Sequence, residues 1–242
     1  MTFIASDTNV RTPYPSEAAP LPGPATATER ELRAALAEKD LLLRDMHHRM
    51  KNDLQVVCSL LWLHASQVED QTARALFRAG EQRVQSIALL HQKLAESTRP
   101  GYVDLLLYVD GLARTAMKTR GTTLSIALTV EGDSVMLPGE QALPCGLILN
   151  EFVANAQKHA FPHGYAKDAK VTIDVRGRDG LIEVVVADNG VGLPRGRRTP
   201  KNEGLGAQIA RLLTDQLDGT LTVTSHDGTR CVLSFPALLA EG

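Results

Sequence analysis

Two adjacent histidines, His47 and His48, stand in the run Asp45-Met46-His47-His48-Arg49-Met50-Lys51-Asn52-Asp53-Leu54-Gln55. Neighbouring residues on a helix point about 100° apart, so the two rings cannot play the same part. With the apolar seam as zero, His47 lies at about 40°, inside the apolar arc, and His48 at about 140°. Asp45 and Asn52 share the outer face with His48 at helical spacings of three and four. His48 is the exposed, carboxylate-flanked imidazole and His47 the half-buried one. On this segment alone, both also fit ordinary seam and surface histidines.

A second polar stripe lies on an otherwise apolar segment, Leu147 to Ala160, where Glu151, Asn155, Lys158 and His159 fall on one face. An asparagine oxygen can complete the coordination of Mg²⁺, and a lysine can neutralise phosphate charge. A solvated helix face is the plainer alternative. A third feature is the apolar run Val184–Ala187, which leads straight into Asp188-Asn189-Gly190-Val191-Gly192. A carboxylate at a strand end can accept from an exocyclic amine, and glycines let a ring approach closely; Asp-Asn-Gly is also a common turn. The fourth is Gly204-Leu205-Gly206, a glycine-spaced loop opening a helix, where backbone N–H groups suit phosphate oxygens. It is no Walker loop, since no Gly-Lys-Ser/Thr follows.

The elements that position these residues are legible from periodicity. Residues 1–27, with Pro13, Pro15, Pro20, Pro22 and Pro24, read as a disordered tail. Thr28 and Glu31 fit a capping box. Beyond it Leu43, His47, Met50, Leu54, Val57, Leu61, His64 and Val68 form a heptad seam, and Ala73, Phe77, Gly80, Val84, Ile87, His91 and Leu94 a second. A polar turn at Ser66–Gln71 makes them an antiparallel hairpin over residues 28–98, whose seams a second copy would bury as a four-helix bundle. Arg99-Pro100-Gly101 marks the boundary to residues 99–242. There the pattern predicts helices at Val103–Thr119, Pro138–His159 and Gly206–Leu217. It predicts strands at Leu124–Val130, Val171–Arg176, Leu181–Ala187, Thr220–Ser225 and Thr229–Phe235, with turns at Gly177–Gly180 and Asp227-Gly228. The expected fold class is α+β: a helical hairpin followed by an α/β sandwich with helices on one face of a mixed sheet.

Composition narrows the partners. With 43% hydrophobic and 22% charged residues the 242-residue chain is ordinary for a globular protein. Its net charge of -2 gives no reason to expect nucleic acid. No apolar run reaches the roughly 18–20 residues of a membrane span, and no signal segment is visible, so a cytoplasmic protein is expected. Cys58, Cys145 and Cys231 match no metal or redox spacing and read as small apolar residues.

Together the four fragments resemble, in order, the motifs of sensor histidine kinases. His48-Arg49-Met50-Lys51-Asn52-Asp53-Leu54-Gln55 resembles the H box of the HWE-related subgroup, and Glu151…Asn155-Ala156-x-Lys158-His159-Ala160 its N box. Asp188-x-Gly190-x-Gly192 and Gly204-Leu205-Gly206 are similar to the glycine boxes of the Bergerat-type ATPases that include gyrase, Hsp90 and MutL. The resemblance covers about residues 30–236. It implies a dimerisation and phosphotransfer hairpin, an ATP-binding domain using Mg²⁺, and a response-regulator aspartate as final acceptor. The family's phosphoacceptor is the histidine before the arginine, here His48. Asn155 would hold Mg²⁺, and Lys158 and His159 would lie near the phosphates. Asp188 would read the adenine amine, with Gly190, Gly192, Gly204, Leu205, Gly206 and Thr229 completing the nucleotide set. Arg49 stands where many relatives carry an acid, so the proton acceptor lies elsewhere. Asp45 is expected to orient the imidazole, and Glu151, like the water-activating glutamate of the related ATPases, to face the γ-phosphate. Asp53 replaces the usual proline, and the expected lid, Pro194–Glu203, is short and basic, with Arg195, Arg197, Arg198 and Lys201. Input would come from a separate sensor protein in trans or through the tail. An ATP-binding serine kinase regulator of the anti-sigma type has no use for the hairpin. A phosphotransfer scaffold with a decayed nucleotide domain would not keep these glycines, Asn155 and Asp188.

Overall fold

The computed structural model describes residues 26–118, 126–162, 168–193 and 204–238. The expected lid and Leu124 lie outside these, as does the tail up to residue 25. The chain divides between Lys39 and Asp40 into two compact units. The first contains the start of helix α1 (Ala27–Gln67). Its capping box is Thr26 with Glu29, not Thr28 with Glu31: the Glu29 amide donates to Thr26 Oγ1 and the Thr26 amide to Glu29 Oε2. Both threonines satisfy the Thr-x-x-Glu pattern, and Thr26 is the one just before the helix.

The second unit begins with the rest of α1, which turns back through residues 68–70 into α2 (Gln71–Glu96). Asp70 caps α2 by accepting from the Ala73 amide at 2.6 Å. Arg74 reaches back to the Val68 carbonyl through Nε and Nη2, at 3.0 and 2.7 Å. From His47 to Val68 the half-buried residues are His47, Lys51, Leu54, Cys58, Leu61 and Val68, and Ala65 is buried. The seam therefore keeps His47, Leu54, Leu61 and Val68 of the expected set but takes Lys51, Cys58 and Ala65 in place of Met50, Val57 and His64. The apolar arc is broader than one seam, and the position of α2 selects which flank is covered.

The C-terminal half of α2 joins the next layer. Leu90 and Leu94 pack in one core with Val103, Leu105, Tyr108 and the sheet. The fully buried Tyr108 hydroxyl donates to the Ser86 carbonyl of α2 at 3.2 Å. Next come β1 (Tyr102–Asp104), α3 (Leu105–Lys118), β2 (Ala127–Gly132) and β3 (Met136–Pro138). The helix expected from Val103 starts instead at Leu105, because Tyr102–Asp104 pairs antiparallel with Met136–Pro138. Strands of three residues carry too little alternation to be read from sequence. Helix α4 (Gly139–Asn155) ends in one π turn, Ala156–Ala160. Then follow β4 (Lys170–Arg178), β5 (Leu181–Asp188), α5 (Leu205–Gln216), β6 (Thr220–Ser225) and β7 (Thr229–Pro236).

The main sheet has the order β2-β4-β5-β7-β6, parallel between β2 and β4 and antiparallel elsewhere. Val171, Ile173 and Val175, then Ile182, Val184 and Val186, then Cys231, Leu233 and Phe235 are buried at alternate positions. They meet Leu112, Ile148, Val153 and Ala210 from α3, α4 and α5 in the same core, each large side chain there contributing about 1.5–3 kcal/mol. Helices thus cover one face of a mixed sheet, as the alternation requires. Among the described residues no helix is long and apolar enough to cross a membrane.

Candidate functional site

A cavity of about 480 Å³ is lined by α4 and its π turn on one side and by β5, β6 and β7 on the other. Its apolar floor is built from residues that the sheet register puts side by side: Val186 opposite Cys231, and Cys231 opposite Val223. Phe152, Ala156 and Ala160 form the helical wall. Asn155, His159, Asp188, Gly192 and Thr229 bring polarity to it. A volume within about 300–1,000 Å³, apolar with a few fixed polar groups, is that of a cofactor or small-molecule site.

Asp188 is held by backbone. Its Oδ1 accepts from the Gly190 amide at 2.9 Å and the Thr229 amide at 3.1 Å. Both bonds fall on one oxygen, so Oδ2 keeps its acceptor capacity for a donor in the cavity. Burial, and then the charge of Asp188, push the Cys231 thiol up to about 12, so it stays a neutral part of the floor. The glycines have separate reasons. Gly190 seats its backbone on Ala160, where a Cβ would stand 2.3 Å from the carbonyl oxygen. Gly192 has φ +70° and leaves no room beside Ser225 Oγ, which accepts from the Leu193 amide. At Gly204, the cap of α5, an added Cβ would meet nothing within 4 Å among the described residues.

A second cavity, about 500 Å³, shares Phe152, Asn155 and Val223 with the first and adds Glu151, Gly206, Ala207 and Arg211. Asn155 is therefore the polar member of the common wall. Glu151 is not open to a ligand on both oxygens: Oε1 accepts from Arg83 Nε at 2.9 Å and pairs with Nη2 at 2.7 Å. Lys158 is exposed and lines neither cavity, and Leu205 is half exposed at the start of α5.

On the hairpin His48 is exposed and His47 half-buried, in line with the helical-wheel argument. His47 Nδ1 meets His91 Nδ1 of α2 at 2.9 Å. Burial holds both rings below the usual histidine range, reinforced for His47 by the charge of the adjacent His48 and for His91 by that of His47. Asp45 pairs with Arg49 Nη2 at 2.8 Å, both well exposed. The structure thus brings Asn155, His159, Asp188, Gly192 and Thr229 together, joins Gly206 and Glu151 to them through the second cavity, and ties Asp45 to Arg49. Sequence reasoning missed Arg83 and the apolar lining. Phe152 and Ala156 stand on the helical face that carries Asn155 and His159, a signal present in the spacing; Val223 and Cys231 needed the strand register.

Residues 45–120 match the histidine kinase family, and residues 140–239 match the histidine kinase-, DNA gyrase B- and HSP90-like ATPases. Over 205 residues the chain is 35% identical to sensor histidine kinase PdtaS of Mycobacterium tuberculosis (strain ATCC 25618 / H37Rv), covering 84% of this chain and 40% of that protein. It is 28% identical to blue-light-activated histidine kinase 2 of Erythrobacter litoralis (strain HTCC2594), over 84% of this chain and 59% of that one. The chain spans about two fifths of the length of the PdtaS relatives it matches. Among solved structures, the histidine kinase domain of a blue-light-activated kinase from Erythrobacter litoralis superposes with a TM-score of 0.58 at 27% identity. That match covers 83% of this chain and 93% of that domain. The chain therefore belongs to the histidine kinases, and its sheet domain to the family of histidine kinase-, DNA gyrase B- and HSP90-like ATPases.

Proposed function

We propose that the chain is an ATP-dependent histidine autokinase of a two-component system, phosphorylated on His48. One observation carries the reading: a cavity with Asp188 anchored on backbone amides belongs to the same chain as an exposed imidazole on a long helix. Asp188 Oδ2 accepts the adenine amine, and the Val186, Val223 and Cys231 floor takes the ring. Gly204, Leu205 and Gly206 offer backbone N–H groups to the phosphates, with Lys158 and His159 on the approach. The amide oxygen of Asn155, between the two cavities, suits Mg²⁺, a hard cation that keeps several waters and would neutralise phosphate charge when bound.

A His48 ring nitrogen attacks the γ-phosphorus in line. The N–P bond forms, the bond to the β–γ bridging oxygen breaks, and ADP leaves with that electron pair. The proton on the other ring nitrogen must then depart, and Asp45 and Glu151 are the two carboxylates for orienting and accepting it. The phosphoryl group passes on to an aspartate of a separate receiver. We place the functional boundary between phosphotransfer hairpin and catalytic domain at about residue 98, and read the active form as a homodimer in the cytoplasm.

Incubation of the purified chain with γ-labelled ATP tests this. Acid-labile, base-stable label on the chain, lost with His48→Ala, is the expected result. Acid-stable label on a partner serine, or no label with nucleotide bound, overturns it.

A further inference from the structure

We infer that Arg83 of the hairpin is a positioning residue for Glu151, so that the phosphoacceptor module supplies part of the catalytic arrangement of the nucleotide domain. This rests on the reading of Glu151 as the carboxylate facing the γ-phosphate. Two donors of one guanidinium converge on Oε1 at 2.9 and 2.7 Å, with the side chains only 20% and 15% exposed. This is no solvated surface pair, and charge-assisted bonds in such surroundings are directional.

The other oxygen has a defined place. Oε2 lies beside Gly206, 2.3 Å from where a Cβ on that residue would be. Glu151 is therefore packed between Arg83 on one side and the first turn of α5 on the other, in the wall of the cavity that continues past Asn155. A carboxylate beside a triphosphate is repelled by it. Left alone, with its free rotamers, Glu151 would turn away to solvent; the guanidinium neutralises Oε1 and leaves Oε2 presented to the cavity.

Arg83 is itself firmly based. Three residues on, Ser86 is 1% exposed and its carbonyl takes the Tyr108 hydroxyl, and beyond it Leu90 and Leu94 enter the core. Arg83 also stands eight residues before His91, the partner of His47, or about 12 Å along the helix axis. At that distance it acts through Glu151 and not by direct contact with the phosphoacceptor. A rotation of α2 moves Arg83, and with it the carboxylate on α4, which links the hairpin's state to the rate of transfer.

The test uses the whole chain and initial rates of autophosphorylation against ATP concentration. Arg83→Ala should lower kcat by about tenfold or more while KM for ATP stays within about twofold. Arg83→Lys, which keeps the cation, should retain most of the rate, and added guanidinium ion should restore part of it to Arg83→Ala. In a Glu151→Gln background Arg83→Ala should cost nothing further, because the two act as one unit. A labelling wild type with Arg83→Ala at unchanged or raised kcat, or with its loss undiminished in the Glu151→Gln background, overturns the assignment of Arg83 alone. Glu151→Gln labelling at the wild-type rate overturns the reading of Glu151, and the proposal with it.

Discussion

His47 and His48 are adjacent in the chain and about 100° apart around the helix. That angle leaves one ring in solvent and packs the other against His91. His48→Ala should therefore abolish autophosphorylation, whereas His47→Ala should reduce it only through loosened packing; normal acid-labile label on the His48→Ala protein would remove His48 from its role. Asp188 presents a different balance. Replacing it by alanine removes the acceptor in the cavity and strands the Gly190 and Thr229 amides. A hydrogen bond to a charged group is worth about 1.5–3 kcal/mol, so nucleotide affinity should fall by about tenfold or more, as read by titration with a fluorescent ATP analogue. Unchanged affinity would move the adenine amine elsewhere.

At the scale of elements, the hairpin carries a pH dependence. The two Nδ1 atoms at 2.9 Å need one donor and one acceptor, which neutral rings supply through different tautomers. Burial first, and then the charge of a nearby imidazole (His48 for His47, His47 for His91), lower both pKa values from the ordinary 6.5. The titratable and charged groups close to them in the chain are Asp45, His48, Arg49 and Lys51 on α1 and Lys93 and Glu96 on α2, with Asp45 paired to Arg49 and Lys93 to Glu96. A base whose folded pKa is depressed binds fewer protons folded than unfolded, so stability rises with pH between the two values. The hairpin's contribution should be complete above about pH 6.5 and decline as pH falls below it. Thermal melts at about pH 5 and 7.5 should show this loss, and His91→Ala should flatten it; an equal loss in that variant would assign it to other groups. The β6–β7 turn offers a second case. Gly228 has φ +118°, and a Cβ there would stand 1.9 Å from the Asp188 carbonyl oxygen. Gly228→Ala should cost at least about 1–3 kcal/mol from backbone strain alone. It should weaken nucleotide binding as well, because the clash displaces the strand end that carries Asp188. A melt like that of the wild type would show that the turn relaxes freely.

For the molecule as a whole, much of the apolar surface of α1 is uncovered within one copy. In the second unit Met46, Met50, Val57, Leu60 and Leu63 are 40–51% exposed. A two-helix hairpin cannot bury both flanks of such a helix, and a four-helix bundle can. Light scattering at micromolar concentration should give a dimer, and Val57→Lys with Leu60→Lys should weaken it while sparing the nucleotide cavity. Polar substitution at Leu54 or Leu61 is a different experiment, since both are half-buried on the seam of His47 and Cys58, which meet α2, and should lower the melting temperature of the hairpin itself. A fully active monomer would count against the bundle.

Local chemistry accounts for what could be read in advance. Alternation fixes which face of β4, β5 and β7 is buried, Asp227-Gly228 turns the last hairpin with both residues at positive φ, and helical angle separates His48 from His47. These depend on a residue and its near neighbours in the chain, whose geometry is set by bonds and sterics. The three-residue strands, the covered flank of α1, the floor of Val186, Val223 and Cys231, and the grip of Arg83 on Glu151 depend on partners far away in sequence. Arg83 and Glu151 are 68 residues apart, and nothing in either segment names the other. The burial of Leu90 and Leu94 in the catalytic core, with the Tyr108 hydroxyl on the Ser86 carbonyl, brings α2 alongside α4. That packing joins the two segments, and from it the carboxylate acquires its cation.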